Sequence, residues 1–209
     1  MYIPNATRVD DQAQLLAFMQ AHSFATLVSL VNGQLFATHL PLTIVAPTGD
    51  TDEPIRLHGH VAKANPHWQE LATQSEVLVI FQGPHAYISP ALYEKRESVP
   101  TWNYIAVHAY GAARLIQDEA SLLSVLADLI AVNDPAYQAQ WDSLPDKFRH
   151  GLLNGIVAFE INVTRLEGKF KLGQNRPLGD QTRMLDALSA HADTTIATLG
   201  HYMQEGLGS

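Results

Sequence analysis

The chain of 209 residues contains no cysteine, which removes disulfides, thiolate nucleophiles and thiolate-bound zinc or iron–sulfur clusters together. Any metal would have to be held by His and carboxylate. Cations are also scarce: 13 Lys and Arg stand against 21 Asp and Glu, a formal net charge of -8. Affinity for nucleic acid comes largely from cations that neutralise phosphates and release counterions, so direct DNA binding is doubtful. No run approaches the roughly 20 apolar residues of a membrane span. The opening Met1-Tyr2-Ile3-Pro4 lacks the basic region and apolar core of a secretion signal. The expectation is a soluble, cytoplasmic protein with no membrane contact. No GxGxxG, P-loop, GxSxG or HExxH pattern occurs, which leaves nucleotide hydrolysis and serine-hydrolase chemistry without support.

What is present reads as one globular domain over 1–209, with a C-terminal helical segment from about 177. Hydrophobic residues make up 46% and charged residues 16%, too apolar a mixture to stay disordered. An amphipathic helix is expected over 11–22. Strands at 24–31 and 34–40 flank Asn32-Gly33, the dipeptide best suited to the positive φ angles of a tight hairpin. After a polar loop over 47–54, residues 55–61 read as a strand with His58 and His60 on one face. A helix should begin at Asn65-Pro66. Residues 76–81 should form a central strand buried on both faces, broken by Gln82-Gly83-Pro84 and resumed over 85–88. A long strand over 104–116 is interrupted at Gly111, which suggests a bulge or close backbone approach. The surest helix covers 118–132, and the last long strand covers 156–166. The total is six or seven strands in a mostly antiparallel pattern, mainly β with added helices, which favours a barrel over a doubly wound sheet.

Three constellations could carry chemistry. Lys63 beside the Asn65-Pro66 helix start joins a cation to unpaired N–H groups, a setting that suits a nucleotide phosphate; the plainer alternative is a solvated lysine and an ordinary cap. Trp102, Asn103 and Tyr104, at the mouth of a strand, could sandwich and hydrogen-bond a flat ring, or could simply be core aromatics. The run from Glu167 to Arg176 reads as a basic loop able to close over an anion, or as an exposed one. The His58-Gly59-His60 pair could in principle hold a metal, but no carboxylate or third His lies near it in the sequence. Histidines lining a barrel are the preferred reading, and no metal is expected.

These blocks resemble the PaiB-type FMN-binding family of negative transcriptional regulators over nearly the whole chain. The likeness is carried by Met1-Tyr2-Ile3-Pro4, His39-Leu40-Pro41-Leu42, the stretch from Gly59 to Trp68, that from Val79 to Pro90, Val99-Pro100-Thr101-Trp102-Asn103-Tyr104, and Leu166 to Leu172 leading to Gln174-Asn175-Arg176. The chain departs from the family pattern at Gly173, where a Ser commonly stands. The resemblance implies a split β-barrel of the FMN-binding type, related to pyridoxamine-phosphate oxidase. It implies a homodimer that binds FMN at the subunit interface. It also implies cofactor contacts from His60, Lys63, Asn65, Trp102, Asn103, Tyr104, Lys171, Gln174, Asn175 and Arg176. His60, His85 and His108 are candidates to touch flavin or substrate, and no catalytic residue is assigned. An FMN-dependent oxidoreductase is one outcome. A haem-binding or haem-degrading split barrel and a non-catalytic regulator acting through protein or DNA contacts are the alternatives.

Overall fold

A computed structural model describes residues 1–47, 53–74 and 76–207; most of the loop expected over 47–54 lies outside the described residues. The strands are β1 (Arg8–Val9), β2 (Phe24–Val31), β3 (Gln34–Pro41), β4 (Thr43–Val45), β5 (Arg56–Ala62), β6 (Val77–Ile88), β7 (Thr101–Ile116) and β8 (Ile156–Lys171). The helices are α1 (Gln12–Ala21), α2 (His67–Leu71), α3 (Glu119–Asn133), α4 (Gln138–Ser143), α5 (Asp146–Leu153), α6 (Leu178–Ser189) and α7 (Thr194–Leu207). The strands form one sheet in the order β3-β2-β6-β7-β8-β5-β4, with β1 added to β8. Every pairing whose register is known is antiparallel. The sheet does not close: β3 and β4 end its hydrogen-bonded path.

The chain forms two compact units. The first comprises Met1–Leu15, Gln82–Val107 and Glu167–Ser209, and the second Leu16–Phe81 and His108–Leu166. In the second unit β2 and β3 make the expected hairpin, with Leu30 opposite Leu35 and Val31 opposite Gln34. Asn32 (φ 53°) and Gly33 (φ 72°) supply its turn, the left-handed pair that matches strand twist. Asp118 caps α3 by accepting from the Ser121 N–H at 2.8 Å, and Leu122 and Val125 then pack with Ile116 and Ala158. Each such apolar side chain contributes about 1.5–3 kcal/mol on burial. In the first unit α6 and α7 pack together, with Met184, Leu188, Leu199 and Met203 buried. Gly200 lets them approach, since a Cβ there would lie 2.6 Å from the Ser189 Oγ.

Four expectations need correction. β6 runs unbroken from Val77 to Ile88, because Gly83 and Pro84 both accept extended backbone; a proline φ near about −65° lies inside the β region. β7 begins at Thr101 and passes through Gly111 without interruption. Trp102, Asn103 and Tyr104 therefore lie within a strand, not before one. At Gly111 the close approach is real: a Cβ there would sit 2.2 Å from the Asn162 carbonyl oxygen. Finally, β8 extends to Lys171, so half of the supposed basic loop is strand.

Candidate functional site

The residues expected to contact a cofactor divide between the two units. His60, Lys63 and Asn65 belong to the second; Trp102, Asn103, Tyr104, Lys171, Gln174, Asn175 and Arg176 belong to the first.

In the second unit the Asn65 side chain is fully engaged. Its Oδ1 accepts from the His67 N–H at 2.9 Å and its Nδ2 donates to Thr38 Oγ1 at 3.1 Å. Asn65 thus satisfies the first N–H of α2, but the helix starts later than expected, at His67 with Pro66 at its N-cap, and has only five residues, so its end dipole is small. Lys63 is exposed and borders a cleft of about 280 Å³ that it shares with Gln117, Glu119, His150 and Asn154. Burial holds the His60 imidazole below its ordinary pKa.

Sequence reasoning missed two polar centres in this unit. His67 is wholly buried, with its Nε2 2.7 Å from Ser29 Oγ and its Nδ1 2.8 Å from Thr38 Oγ1. Burial lowers its pKa, so the neutral ring bridges two hydroxyls. Glu160, also buried, accepts from Arg114 Nε at 2.8 Å and lies 2.9 Å from His58 Nε2. Burial pushes its carboxyl up, but the hydrogen bonds and charges of Arg114 and His58 outweigh this and leave it below its usual value. The alternation expected over 156–166 sets Phe159, Ile161 and Val163 on one face and Glu160 on the other, so the pattern gave no sign that Glu160 would be buried. His58, one of the histidines expected to line the barrel, is thus a hydrogen-bond partner of Glu160. Among the described residues no group of His, Asp and Glu is arranged to hold a metal ion.

In the first unit the predicted residues come together around the ends of β7 and β8. Lys171 Nζ donates to Thr101 Oγ1 and, at 2.8 Å, to the Trp102 carbonyl. Burial pushes its pKa down; Tyr104, when ionised, opposes this, and the charges of Lys169 and Arg176 reinforce it. Lys169 is only 8% exposed. Its ammonium donates to the Tyr2 carbonyl at 3.1 Å and sits 5.0 Å from the centre of the Tyr104 ring. The Arg176 guanidinium lies 4.0 Å above the Tyr93 ring. Gln174 closes the turn, accepting from the Leu172 N–H at 2.8 Å and donating to the Phe170 carbonyl at 2.6 Å. Asn175 is exposed on the same turn.

Asn103 is 1% exposed, and both polar atoms of its carboxamide lack a hydrogen-bond partner. So does the buried Tyr93 hydroxyl. Buried polar groups are rarely left so, since each costs about 1–3 kcal/mol. The Asn103 Nδ2 lies against Gly173, 3.4 Å from where a Cβ would stand. Gly173 has φ 80° and such a Cβ would meet Met184 Cε at 2.6 Å, so glycine suits this position. Beyond the strand, His85, Tyr87, Trp102, His191, Asp193, Thr195 and Ile196 line an open cleft of about 490 Å³. Trp102 and Tyr87 meet edge to face with ring centres 6.0 Å apart. Each remains 54% exposed.

An unclosed antiparallel sheet with helical additions, bearing aromatic, amide and cationic side chains on its central strands, defines a split β-barrel of the flavin-protein type. Two solved structures share this fold. The flavocytochrome Anf3 from Azotobacter vinelandii aligns with a TM-score of 0.61 at 19% identity, over 78% of this chain and 69% of its own. The FAD and heme binding protein from Mycobacterium smegmatis aligns with a TM-score of 0.60 at 16% identity, over 92% and 80%. Residues 1–165 match the family model described as "Putative FMN-binding domain". "Protease synthase and sporulation protein PAI 2" of Bacillus subtilis is 35% identical over 99% of this chain and 98% of its own length. The chain belongs to the PaiB-type FMN-binding family.

The residues of the first unit fit a flavin: flat exposed rings, a carboxamide with unused donor and acceptor, and cations. No helix among the described residues is long and apolar enough to cross a membrane.

Proposed function

We propose that this chain binds FMN as a cytoplasmic homodimer and serves a redox or regulatory role through that flavin. The observation that carries the reading is the buried Asn103 carboxamide without a partner, set between Trp102 and Tyr104 on β7 in a chain of the FMN-binding family. A flavin ring presents both donors and acceptors along one edge, which is what such an amide requires. Trp102, with Tyr87 and His85 beside it, offers a flat surface on the opposite face of β7 from Asn103, since successive residues of a strand alternate. Lys171, Gln174, Asn175 and Arg176 would bound the site from β8 and its following turn. In the second unit, taken by itself, His60, Lys63 and Asn65 keep their expected role as cofactor contacts, with Lys63 offering charge and Asn65 fixing the local backbone. Bound flavin would supply hydride or single-electron chemistry, so none of these side chains need act as acid or base.

Haem is the second reading, favoured by His85 and His191 lining the same cleft as Trp102; an imidazole there could serve as an axial ligand. Regulation of transcription, if it occurs, would run through protein contacts or weak DNA contacts, given the net charge of -8. An absorption spectrum of the purified chain after reconstitution separates the cofactors. Flavin gives bands near about 370 and 450 nm and haem a Soret band near about 400 nm, properties of the cofactors themselves. Flavin bands that survive gel filtration are the expected result. A protein that retains neither chromophore would leave the non-catalytic regulator.

A further inference from the structure

The C-terminal end of β8 concentrates positive charge: among the described residues no carboxylate pairs directly with Lys169, Lys171 or Arg176, although Glu167 stands two residues before Lys169 and Glu205 borders the cleft that Phe170, Leu172 and Gln174 line. Lysine is almost never buried unless paired, yet Lys169 is 8% exposed and its contacts are a carbonyl and two aromatic rings. Lys171 likewise donates only to a hydroxyl and a carbonyl, and Arg176 lies over a ring. Two acids of the neighbourhood are committed elsewhere. Glu167 pairs with the N-terminal amine, and Asp180 receives Arg183 and the Glu94 N–H. Beside these cations lies the unpartnered, buried carboxamide of Asn103. Removing cations from water costs free energy that an oppositely charged group can return.

We propose that Lys169, Lys171 and Arg176, together with the Asn103 carboxamide, form an anion site that takes a phosphate group. The two lysines stand at i and i+2 of one strand, and the guanidinium follows on the turn, so the donors come from a rigid ladder and its end. Arginine offers a planar fork to two oxygens, and each ammonium acts as a compact charge. The phosphate can come from two sources, the 5′-phosphate of FMN or a separate phosphorylated small molecule. In its FMN form the inference rests on the flavin reading above; in its second form it does not.

The test is calorimetric titration of the full chain with FMN, riboflavin and inorganic phosphate, for the native protein and for Lys171→Met, Lys171→Arg and Arg176→Met. Riboflavin keeps the ring system and lacks the phosphate. If FMN is the source, the native chain prefers FMN to riboflavin. Lys171→Met then reduces that preference by about tenfold or more, the loss of one charge-assisted hydrogen bond, while Lys171→Arg retains most of it. If the source is separate, inorganic phosphate binds the native chain, with or without FMN present, and binds Lys171→Met and Arg176→Met at least tenfold more weakly. Circular dichroism and thermal midpoints confirm that the variants fold. Equal affinity for FMN and riboflavin with no phosphate binding overturns the anion site and leaves the flavin reading intact. Phosphate binding without any flavin binding does the reverse. A preference for FMN that Lys63→Ala abolishes and the β8 variants leave unchanged also overturns it.

Discussion

At the scale of single residues, the same polarity that suits a ligand weakens the protein that lacks one. Asn103 buries a donor and an acceptor with no partner, so Asn103→Leu, which keeps the branching at Cγ with a bulkier side chain and removes both polar atoms, should raise stability by about 1 kcal/mol net of the added bulk and weaken flavin binding. Urea denaturation and FMN titration of one preparation check both; a variant less stable than the native chain would mean that the amide already has its partners. His67 is the opposite case, with both ring nitrogens bonded. His67→Ala should cost roughly 2–4 kcal/mol through a cavity and two unpaired hydroxyls. Burial lowers the folded pKa of His22, His60 and His67 below the ordinary value of 6.5. Their contribution is therefore complete above pH 6.5 and is lost as pH falls through the lower folded values. Glu160, also depressed, adds a further loss below its ordinary 4.5. The urea midpoint should thus drop between pH 7.5 and pH 5; a flat midpoint would contradict it. Trp102, Asn103 and Tyr104 were picked out in the sequence as possible ring contacts, since two aromatics flank an amide. Lys169 was not, because the Lys169-Phe170-Lys171 alternation stands between two glycines in a run whose composition suits a loop. Taken with a strand's period of two, it sets both cations on one face.

Elements were legible wherever one period or one dipeptide dominated. The β2–β3 hairpin follows from Asn32-Gly33 between alternating apolar runs, and α3 follows from its broad apolar face and Asp118 cap. α4 and α5 were missed because each is short, six and eight residues, and carries little apolar surface to reveal a period. β6, β7 and β8 came out too short because Gly83, Pro84, Gly111 and the β8 lysines carry local signals for interruption, which pairing in a sheet overrides. Two glycines separate local from tertiary control. Gly33 has φ 72° and nothing within 4 Å of where a Cβ would stand, so Gly33→Ala costs only backbone strain, about 1–2 kcal/mol. Gly111 has the Asn162 carbonyl 2.2 Å from the corresponding position, a clash neither strand can relieve without breaking the ladder. Gly111→Ala should cost about 3 kcal/mol or more. Equal unfolding free energies for the two variants would show that the β7–β8 approach is looser than described.

On the scale of the whole molecule, β3 is a terminal strand of the sheet path, and its exposed surface is apolar where a lone edge would be expected to carry charge. Leu35 is 81% exposed and lies opposite Leu30, 40% exposed, while Phe24 on the same hairpin is 68% exposed. Proteins protect edge strands with lysine, proline or bulges, or cover them. β3 holds no Lys, Arg, Asp or Glu and its one proline, Pro41, stands at its last residue, so covering of its exposed start by a second chain is the arrangement that fits. A homodimer is therefore expected, with an interface of more than about 2,000 Å² if it is obligate. Its mass by light scattering at micromolar concentration should be twice the 23.0 kDa of one chain. Leu35→Glu places a charge in that apolar surface without touching the core, and should raise the dimer dissociation constant at least tenfold, about 1.4 kcal/mol. If flavin is held at the subunit interface, the same variant also loses FMN affinity, and raising protein concentration restores it because dimer and site reform together. A Leu35→Glu protein that stays dimeric would move the interface elsewhere. A native chain that scatters as a monomer would remove the shared site altogether.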